Sequence, residues 1–326
     1  MLDFNQGTEQ FNRYLGAERK TTVLLDGDLY MLKYPDPIRR TKLREDLSYK
    51  NNQFSEHIGS NIFRACGMDA QETALGFFTD KDGKKKLGVG CKDFTQHGGT
   101  LYEMAKLASQ TMVNDARASL SIENVYSIIE KSDLITNKQE ILASFWDMFV
   151  IDALIGNADR HFGNWGLLVT GDEVKFAPVY DCGSSLGALL DDETMENILS
   201  NPALLKNQEF NAMSCYSLDG KRIFYHEIFR NPPPGLKEAI ARMMPNINKQ
   251  KILSIVDAVP EMSPTRKAYL SAALALRLEQ ILLPALQRDI EKPSLSAQLK
   301  AGVEKSKTQF SDCAQNPQKS RNDMER

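Results

Sequence analysis

Three side chains with oxygen ligands follow one another near the middle of the chain, in a segment rich in polar residues. Asp159 and Asn164 are five positions apart within GNADRHFGNWGLLV (residues 156–169), and Asp181 follows seventeen positions later, directly before Cys182. Phosphoryl transfer from ATP needs such a set. One carboxylate orients or deprotonates the attacking hydroxyl, while an amide oxygen and a second carboxylate hold Mg²⁺ against the phosphates. The ordered set therefore indicates ATP-dependent phosphoryl transfer.

Each of these residues also has an ordinary structural explanation. Asp159 could cap a turn, Asp181 could end a strand, and the D-x-x-x-x-N spacing alone is weak evidence. A helix, then this spacing, then a hairpin and D-x-G form a far less common combination, which favours the functional interpretation. A zinc site at His161 is discounted, because no other histidine lies at ligand spacing from it. The others are His57, His97 and His226.

The N-terminal part of the chain supplies further residues that phosphoryl transfer needs. Lys33 lies on an apolar strand, where it could pair with phosphates, and Glu56 falls on the following helix, positioned to pair with Lys33. A turn of small residues, LGAERK, leads into the preceding strand and could bring backbone N–H groups to phosphates. It consists of Leu15, Gly16, Ala17, Glu18, Arg19 and Lys20. Taken singly, Lys33 and Glu56 could equally face solvent, but their order favours the functional roles.

The elements on either side of the central cluster must position it. The segment KQEILASFWDMFVIDALIGN (residues 138–157) has apolar residues at i, i+3, i+4 and i+7, which predicts a long buried helix that stops at Gly156. The segments WGLLV and EVKFAPV predict two short strands joined by a turn at Gly171. Such a hairpin would return the chain from Asn164 to Asp181 and bring the two side chains together.

The remaining patterns predict an α+β fold with a small β-rich lobe and a larger helical lobe. Hairpins are indicated at Asp26-Gly27 and Asp82-Gly83, with a helix between them that ends at Gly67. After the central cluster, helices are indicated over residues 235–244, 249–259 and 264–283. The expected divisions are an N-terminal lobe over residues 1–97, with a crossover at 90–97, a helical lobe over 98–290, and a polar, disordered tail over 291–326.

The composition argues against several classes of protein. The chain has 326 residues and a formal net charge of −3, with no helix-turn-helix that carries a clustered basic face, so we expect no direct contact with nucleic acid. The five cysteines form no C-x-x-C pair, which is typical of a reduced, intracellular protein. The N-terminus lacks the pattern of a secretory signal, and no apolar stretch reaches about 18 residues, so we expect no membrane span.

The segments NADRHFGNWGLL and FAPVYDCGSSL resemble the HipA-like serine/threonine kinases, and in particular the compact CtkA-like members of that family. The family pattern N-x-D-x-H-x-x-N is met at Asn157, Asp159, His161 and Asn164, and the D-x-G-x-S that follows is met at Asp181, Gly183 and Ser185. The segments YMLKYP, SEHIGSNIFRACG and CKDF are similar to the N-terminal lobe of that family. The resemblance covers roughly residues 10–285.

The resemblance implies a bilobal protein-kinase-like fold, of the type shared with phosphoinositide kinases, with ATP and Mg²⁺ between the lobes. By position, Asp159 would be the catalytic base, and Asn164 and Asp181 would hold the metal. Other matched positions would bind or border the nucleotide, with Lys33 on its phosphates. The implied ATP-binding residues are Leu15, Gly16, Ala17, Glu18, Arg19, Lys20, Lys33, Glu56, Cys91, Lys92, Asp93, His161 and Tyr180.

The leading hypothesis is an ATP- and Mg²⁺-dependent serine/threonine protein kinase that also phosphorylates itself. Its partner would be a protein substrate carrying Ser or Thr, and the family resemblance adds two possible roles, a toxin held by an antitoxin or a secreted effector. We expect a cytoplasmic location, with non-classical secretion left open. Two alternatives stay open: a phosphoinositide-type lipid kinase, which also carries DRHxxN before a D-x-G, and a non-catalytic nucleotide-binding pseudokinase. The lysines 84–86 would be the basic patch of a lipid kinase, but a solvated turn explains them.

Overall fold

The computed structural model describes residues 1–10, 20–33, 52–79, 83–111 and 119–291. Residues 1–285 form one compact unit, and residues 286–326 are grouped separately. Most of the phosphate-covering turn predicted at residues 15–20 lies outside the described residues, as do Asp82 and residues 292–326 of the predicted tail. The predicted boundary between lobes at residues 97 and 98 stays a prediction.

The N-terminal part is built on a sheet whose described strands run in the order β1-β5-β6-β4-β3-β2. The strands are β1 Leu2–Asp3, β2 Thr8–Gln10, β3 Lys20–Leu25, β4 Asp28–Lys33, β5 Thr73–Thr79 and β6 Lys85–Lys92. Only the β1–β5 pair is parallel within this sheet. The hairpin predicted between β3 and β4 is present, and Asp26 and Gly27 have φ values of 51° and 86°, as a type I′ turn requires. Lys33 is therefore the last residue of β4, which lies between β6 and β3 in the sheet.

Helix α1, Asn52–Ala65, packs against β5 and β6. Ile58, Ile62 and Phe63 are fully buried, as the helical spacing of these residues predicts. The chain leaves the helix at Gly67, whose φ of +85° ends it. Glu56 lies on the same helix and is buried as well, at 1% exposure. The packing of α1 against the sheet thus turns a carboxylate toward the strand that carries Lys33.

Helix α4, Lys138–Ile155, is the central helix of the second part of the fold and follows α2, Met104–Thr111, and α3, Ile122–Lys131. Apolar side chains around most of its circumference are buried, Phe145 and Phe149 among them. It ends as predicted at Gly156, which adopts the left-handed conformation with φ 65° and donates its N–H to the carbonyl of Asp152. Residues 157–164, called the catalytic segment here for the predicted role of Asp159, start at this fixed point.

The hairpin predicted after the cluster is present as β8, Gly166–Thr170, and β9, Glu173–Phe176. A strand that the sequence does not predict, β7 (Thr100–Glu103), pairs with β8 and makes a sheet in the order β7-β8-β9. Leu167 pairs with Phe176, and the N–H of Ala177 donates to the carbonyl of Gly166 over 2.9 Å. The hairpin therefore returns the chain to the level of Asn164, as expected.

The remaining elements are mostly helical. They are α5 Asp192–Leu199, α6 Pro202–Phe210, β10 Met213–Leu218, β11 Lys221–Phe224, α7 Tyr225–Arg230, α8 Pro234–Met243, α9 Lys249–Asp257, α10 Pro264–Arg277 and α11 Leu283–Glu291. A π-helical turn, Leu278–Leu282, joins the last two helices, so the predicted third helix continues to residue 291. The elements between residues 192 and 230 are additions to the predicted outline, and the α+β fold class is confirmed.

One helical run among the described residues, Pro264–Arg288, is long and apolar enough to cross a membrane by length and composition alone. Half of its most apolar window is buried inside the protein, as the core helix of a globular protein would be. The run is therefore weak evidence for a membrane span.

Candidate active site

Lys33 joins two carboxylates from distant parts of the chain. Its Nζ lies 2.9 Å from Glu56 Oε2 and 2.9 Å from Asp181 Oδ1. The side chains of Lys33 and Glu56 are almost completely buried, with 4% and 1% exposed, whereas that of Asp181 is 31% exposed. The ion pair expected between Lys33 and Glu56 is thus present, and it extends to the aspartate of the D-x-G segment.

The charges in this cluster keep Lys33 protonated. Burial by itself would lower the pKa of the lysine, but the carboxylates of Glu56 and Asp181 outweigh it and raise the pKa well above its usual value. Glu56 is held from a second side, because its Oε1 accepts the backbone N–H of Cys182 over 3.1 Å. The glutamate therefore fixes the lysine and the segment after Asp181 together.

The segment after α4 is held by hydrogen bonds within itself. Asn157, which is fully buried, donates its side-chain amide to Asp152 Oδ1 over 2.9 Å and accepts the backbone N–H of Asp159 over 3.0 Å. The side-chain amide of Asn164 donates to the carbonyl of Asp159 over 2.8 Å. The backbone of Asp159 is held on both sides, while its side chain is exposed.

Arg160 connects α4, the catalytic segment and Tyr180, which directly precedes Asp181. Its guanidinium donates to both carboxylate oxygens of Asp152, at 2.9 Å and 3.0 Å, and to the carbonyl of Asn164 over 2.8 Å. The same nitrogen that reaches Asn164 also donates to the carbonyl of Tyr180. Arg160 is buried, and Asp152 raises its pKa well above normal despite the opposing effect of burial. This bridge brings Asn164 and Asp181 into one neighbourhood.

Asp181 has an unusual backbone conformation, with φ of +58°. Few residues other than glycine adopt this region, and such backbone strain is common at functional sites. Gly183 lies against the ion-pair cluster, since a Cβ placed there would lie 3.1 Å from Glu56 Oε2. Ser185 Oγ donates to the carbonyl of Cys182 over 2.7 Å and closes the turn. The D-x-G-x-S segment therefore packs against Glu56 at Cys182 and Gly183.

The residues predicted to border the nucleotide lie at the end of β6, directly after it, and beside the catalytic segment. Cys91 is fully buried, and the side chain of Lys92 pairs with Asp28 Oδ2 over 2.8 Å. Asp93 accepts the backbone N–H and the hydroxyl of Thr95, at 2.7 Å and 2.6 Å. The side chains of Lys92 and Asp93 are thus engaged within the protein, so contact with a nucleotide there would have to involve other atoms.

His161 and Tyr180 both contact Gly163. The imidazole Nδ1 of His161 accepts the N–H of Gly163 over 3.0 Å, and the hydroxyl of Tyr180 donates to the carbonyl of the same glycine over 3.3 Å. Burial raises the pKa of Tyr180, so its hydroxyl stays protonated. Lys20, the last residue of the predicted phosphate turn, is the first residue of β3. The structure therefore brings Lys33, Glu56 and Asp181 into contact and places His161 and Tyr180 on Gly163. The roles of all these residues, and of the turn, stay predictions.

Sequence reasoning missed the buried pair between Arg160 and Asp152, although one signal was present. Asp152 is the acidic residue within the otherwise apolar residues 148–155 of α4, and an acid in such a position needs a buried partner. It also missed Ser184, whose Oγ donates to Asp159 Oδ2 over 3.4 Å. That contact joins the catalytic segment to the D-x-G segment.

Among the described residues, no group of three or more His, Cys, Asp and Glu side chains could hold a metal ion. A metal here would therefore depend on fewer protein ligands and on phosphate oxygens, which is how Mg²⁺ is commonly bound in kinases. Burial raises the pKa of the nearby Cys182 to about 12, and sulfur is not a ligand that Mg²⁺ prefers. Asp181 and Asn164 are the candidate ligands.

Comparisons with known proteins show which family this chain resembles along most of its length. The model of a family described as the HipA-like C-terminal domain matches residues 14–249. The serine/threonine-protein kinase CtkA of Helicobacter pylori strain J99 is 33% identical over 292 residues, which is 83% of this chain and 83% of that protein. A crystal structure of the H. pylori proinflammatory kinase CtkA matches with a TM-score of 0.80 and 33% identity, and the match covers 89% of this chain and 98% of that chain.

Proposed function

The chain is a kinase that belongs to the HipA-like C-terminal domain family, and we propose that it uses ATP and Mg²⁺ to phosphorylate serine and threonine residues of proteins, its own chain included. The observation that carries the proposal is the contact of Lys33 with both Glu56 and Asp181. In protein kinases a strand lysine pairs with a helix glutamate and reaches the phosphates, next to the metal-binding aspartate. A cytoplasmic location is part of the proposal.

The two carboxylates that contact Lys33 suit different tasks. Glu56 is buried and also accepts the N–H of Cys182, so it can hold the lysine in place throughout a reaction cycle. Asp181 is partly exposed, so a metal ion could approach its carboxylate from solvent. Lys33 would then remain oriented by Glu56 while its charge binds phosphate oxygens.

The donor set around Asp181 and Asn164 fits Mg²⁺. The side-chain amide nitrogen of Asn164 donates to the carbonyl of Asp159, which turns the amide so that its oxygen faces away from that bond. Among the described residues, none donates a hydrogen bond to that oxygen. One carboxylate and one amide oxygen are hard ligands of the kind that Mg²⁺ prefers. When bound, the ion would neutralise phosphate charge and would be held by Asp181 and Asn164.

Asp159 is suited to act as the base toward a hydroxyl group. Its carboxylate is exposed, and its backbone is held by Asn157 and Asn164. The carboxylate already lies 3.4 Å from the hydroxyl oxygen of Ser184, so a hydroxyl can approach it. A substrate serine or threonine at that position would donate to Asp159, which would orient it and take up its proton.

The proposal is tested by the dependence of ATP binding on Mg²⁺. Calorimetric titration of ATP in Mg²⁺ and in EDTA gives the factor by which the ion strengthens binding. We expect Asp181→Asn to reduce that factor about tenfold or more, because it removes the charged ligand. Asp159→Asn should keep it, because the base does not hold the metal. If Asp181→Asn retains the full effect of Mg²⁺, the metal site is wrongly assigned.

A further inference from the structure

A cavity of 570 Å³ borders the predicted catalytic base. Ala158, which directly precedes Asp159, lines it. Ser184 lines it too, and the hydroxyl of this serine donates to Asp159 Oδ2 over 3.4 Å. The volume falls within the range of about 300–1,000 Å³ that is usual for ligand sites. The cavity therefore begins where an acceptor hydroxyl would reach Asp159.

One wall of the cavity is apolar and is formed by the chain that follows the D-x-G-x-S segment. Leu189 and Leu190 belong to it, and Leu189 is 39% exposed. Gly187 also lines this wall and has φ of +62°, and a Cβ there would lie 3.2 Å from both Leu190 and Tyr269. A side chain at position 187 would therefore be strained and would crowd Leu190 and Tyr269.

A second group of lining residues is polar. Asn207 and Gln208 of α6 contribute amide groups, as does Asn211 just after the helix. All three residues are exposed. The side-chain nitrogen of Asn211 donates to the side-chain oxygen and the carbonyl of Asn207, at 3.0 Å each, so the side-chain nitrogens of Asn207 and Gln208 are the donors that a polar ligand can use. Amide groups can donate to a carboxylate and cost little to desolvate compared with charged groups. This group can therefore bind a polar side chain without adding charge of its own.

Two arginines line the cavity, and they differ in their partners. Arg277 is 4% exposed, and its guanidinium donates to Glu209 and, over 3.2 Å, to the carbonyl of Leu154, so its charge is compensated. Arg222 is exposed, and only its Nε is engaged, with the carbonyl of Ser214 at 3.3 Å. In the part of the chain that the structure describes, its two terminal nitrogens have no hydrogen-bond partner. The cavity thus carries one uncompensated positive charge.

We propose that this cavity receives an acidic side chain of the protein substrate, close in sequence to the phosphorylated serine or threonine, and that Arg222 binds its carboxylate. The planar fork of an arginine matches a carboxylate with two parallel hydrogen bonds. The apolar wall would pack against the stem of the acidic side chain, and the amides of α6 would complete its hydrogen bonding. The inference rests on the proposed function and gives that function a substrate class.

A set of peptides tests the inference. Each contains one serine, with Glu, Gln or Lys placed in turn at each flanking position. We measure peptide binding by fluorescence anisotropy and phosphate transfer as kcat/KM. At one position or more, we expect Glu to exceed Gln about tenfold in both measurements. Arg222→Gln should reduce this ratio to within about twofold, and added salt should weaken the preference.

Arg230→Gln is the matched control, because Arg230 is exposed eight residues further along the chain and does not line the cavity. It should keep the preference for Glu. An equal preference for Glu in wild type and Arg222→Gln, or no preference at any position, would overturn the cavity assignment. If Glu strengthens binding through Arg222 but no peptide receives phosphate, the cavity assignment stands and the proposed protein kinase activity fails.

Discussion

The two partners of Lys33 differ in how easily they could be exchanged. The side chain of Glu56 is 1% exposed and that of Asp181 is 31% exposed. Removing a buried charge from its partner is costly, whereas a partly exposed carboxylate can be rehydrated or take another cation at low cost. At the scale of single residues, the pair of Lys33 with Glu56 is therefore the permanent contact, and the pair with Asp181 is the one that ligands can exchange.

We expect Lys33→Met to lower the free energy of unfolding by about 3 kcal/mol, because it leaves the carboxylate of Glu56 buried without a cation. Adding Glu56→Gln should recover part of the loss, since a neutral amide tolerates burial better. Urea denaturation measures both effects.

Lys92→Met is the matched control for that loss of stability. Its pair with Asp28 is partly exposed on both sides, with 27% and 30% of the side chains accessible, so it should cost at most about 1 kcal/mol. Equal losses in Lys33→Met and Lys92→Met would contradict the view that the pair with Glu56 is a buried, permanent contact.

At the scale of elements, the end of α4 determines where the catalytic segment begins. Gly156 has φ of +65°, and a Cβ on it would lie 2.5 Å from the guanidinium of Arg277. That guanidinium is buried and is held by Glu209 and by the carbonyl of Leu154. Helix α10, which carries Arg277, therefore packs directly against the turn that leads into residues 157–159.

Gly156→Ala should lower the free energy of unfolding by about 2 kcal/mol or more, because it combines an unfavourable φ with displacement of Arg277. It should also slow phosphate transfer, because Asp159 follows this turn. Gly171→Ala is the control, since Gly171 has a similar φ of +58° in the β8–β9 turn but no atom within 4 Å of the added carbon. It should cost about 1 kcal/mol. If the two variants lose equal stability, the contact with Arg277 adds nothing to the cost of a side chain at position 156.

Local sequence patterns predicted the elements with strong signals. Asp26-Gly27 specified a type I′ hairpin, and the apolar run of α4 specified its length and its end at Gly156. The elements α5, α6 and α7 have only six to nine residues each, too few for periodicity to be clear. Capping signals were present, because Asp191 and Asn201 accept backbone N–H groups at the starts of α5 and α6. These signals alone do not distinguish a helix from a turn.

Much of the site depends on contacts that local patterns do not encode. Lys33 and Asp181 are 148 positions apart, and their contact depends on how the parts of the chain pack. The pairing of Lys33 with Glu56 could be predicted because the two residues lie on a strand and on the helix that follows it, in the order that kinases use. The preference of the cavity for acidic side chains follows from Arg222, which no sequence motif singles out.

At the scale of the whole molecule, backbone hydrogen bonds join the residues between β9 and Asp181 to the chain after α1. The carbonyl of Val179 accepts the N–H of Gln71 over 2.9 Å, and its N–H donates to the carbonyl of Asp69 over 2.9 Å. Together with the hydrogen bond from Cys182 to Glu56, these contacts keep Asp181 next to Lys33. Both halves of the site therefore belong to one compact unit, residues 1–285.

The central claim is that this unit transfers phosphate with Asp159 as its base. The most direct measurement is the transfer of labelled γ-phosphate from ATP and Mg²⁺ to a generic basic protein and to the chain itself. We expect label on protein with the wild type and with Asp172→Asn, a control at an exposed turn. Asp159→Asn should lose about a hundredfold or more of the rate, with an unchanged thermal midpoint. Equal labelling by Asp159→Asn and wild type, or no label on any protein, would contradict the claim.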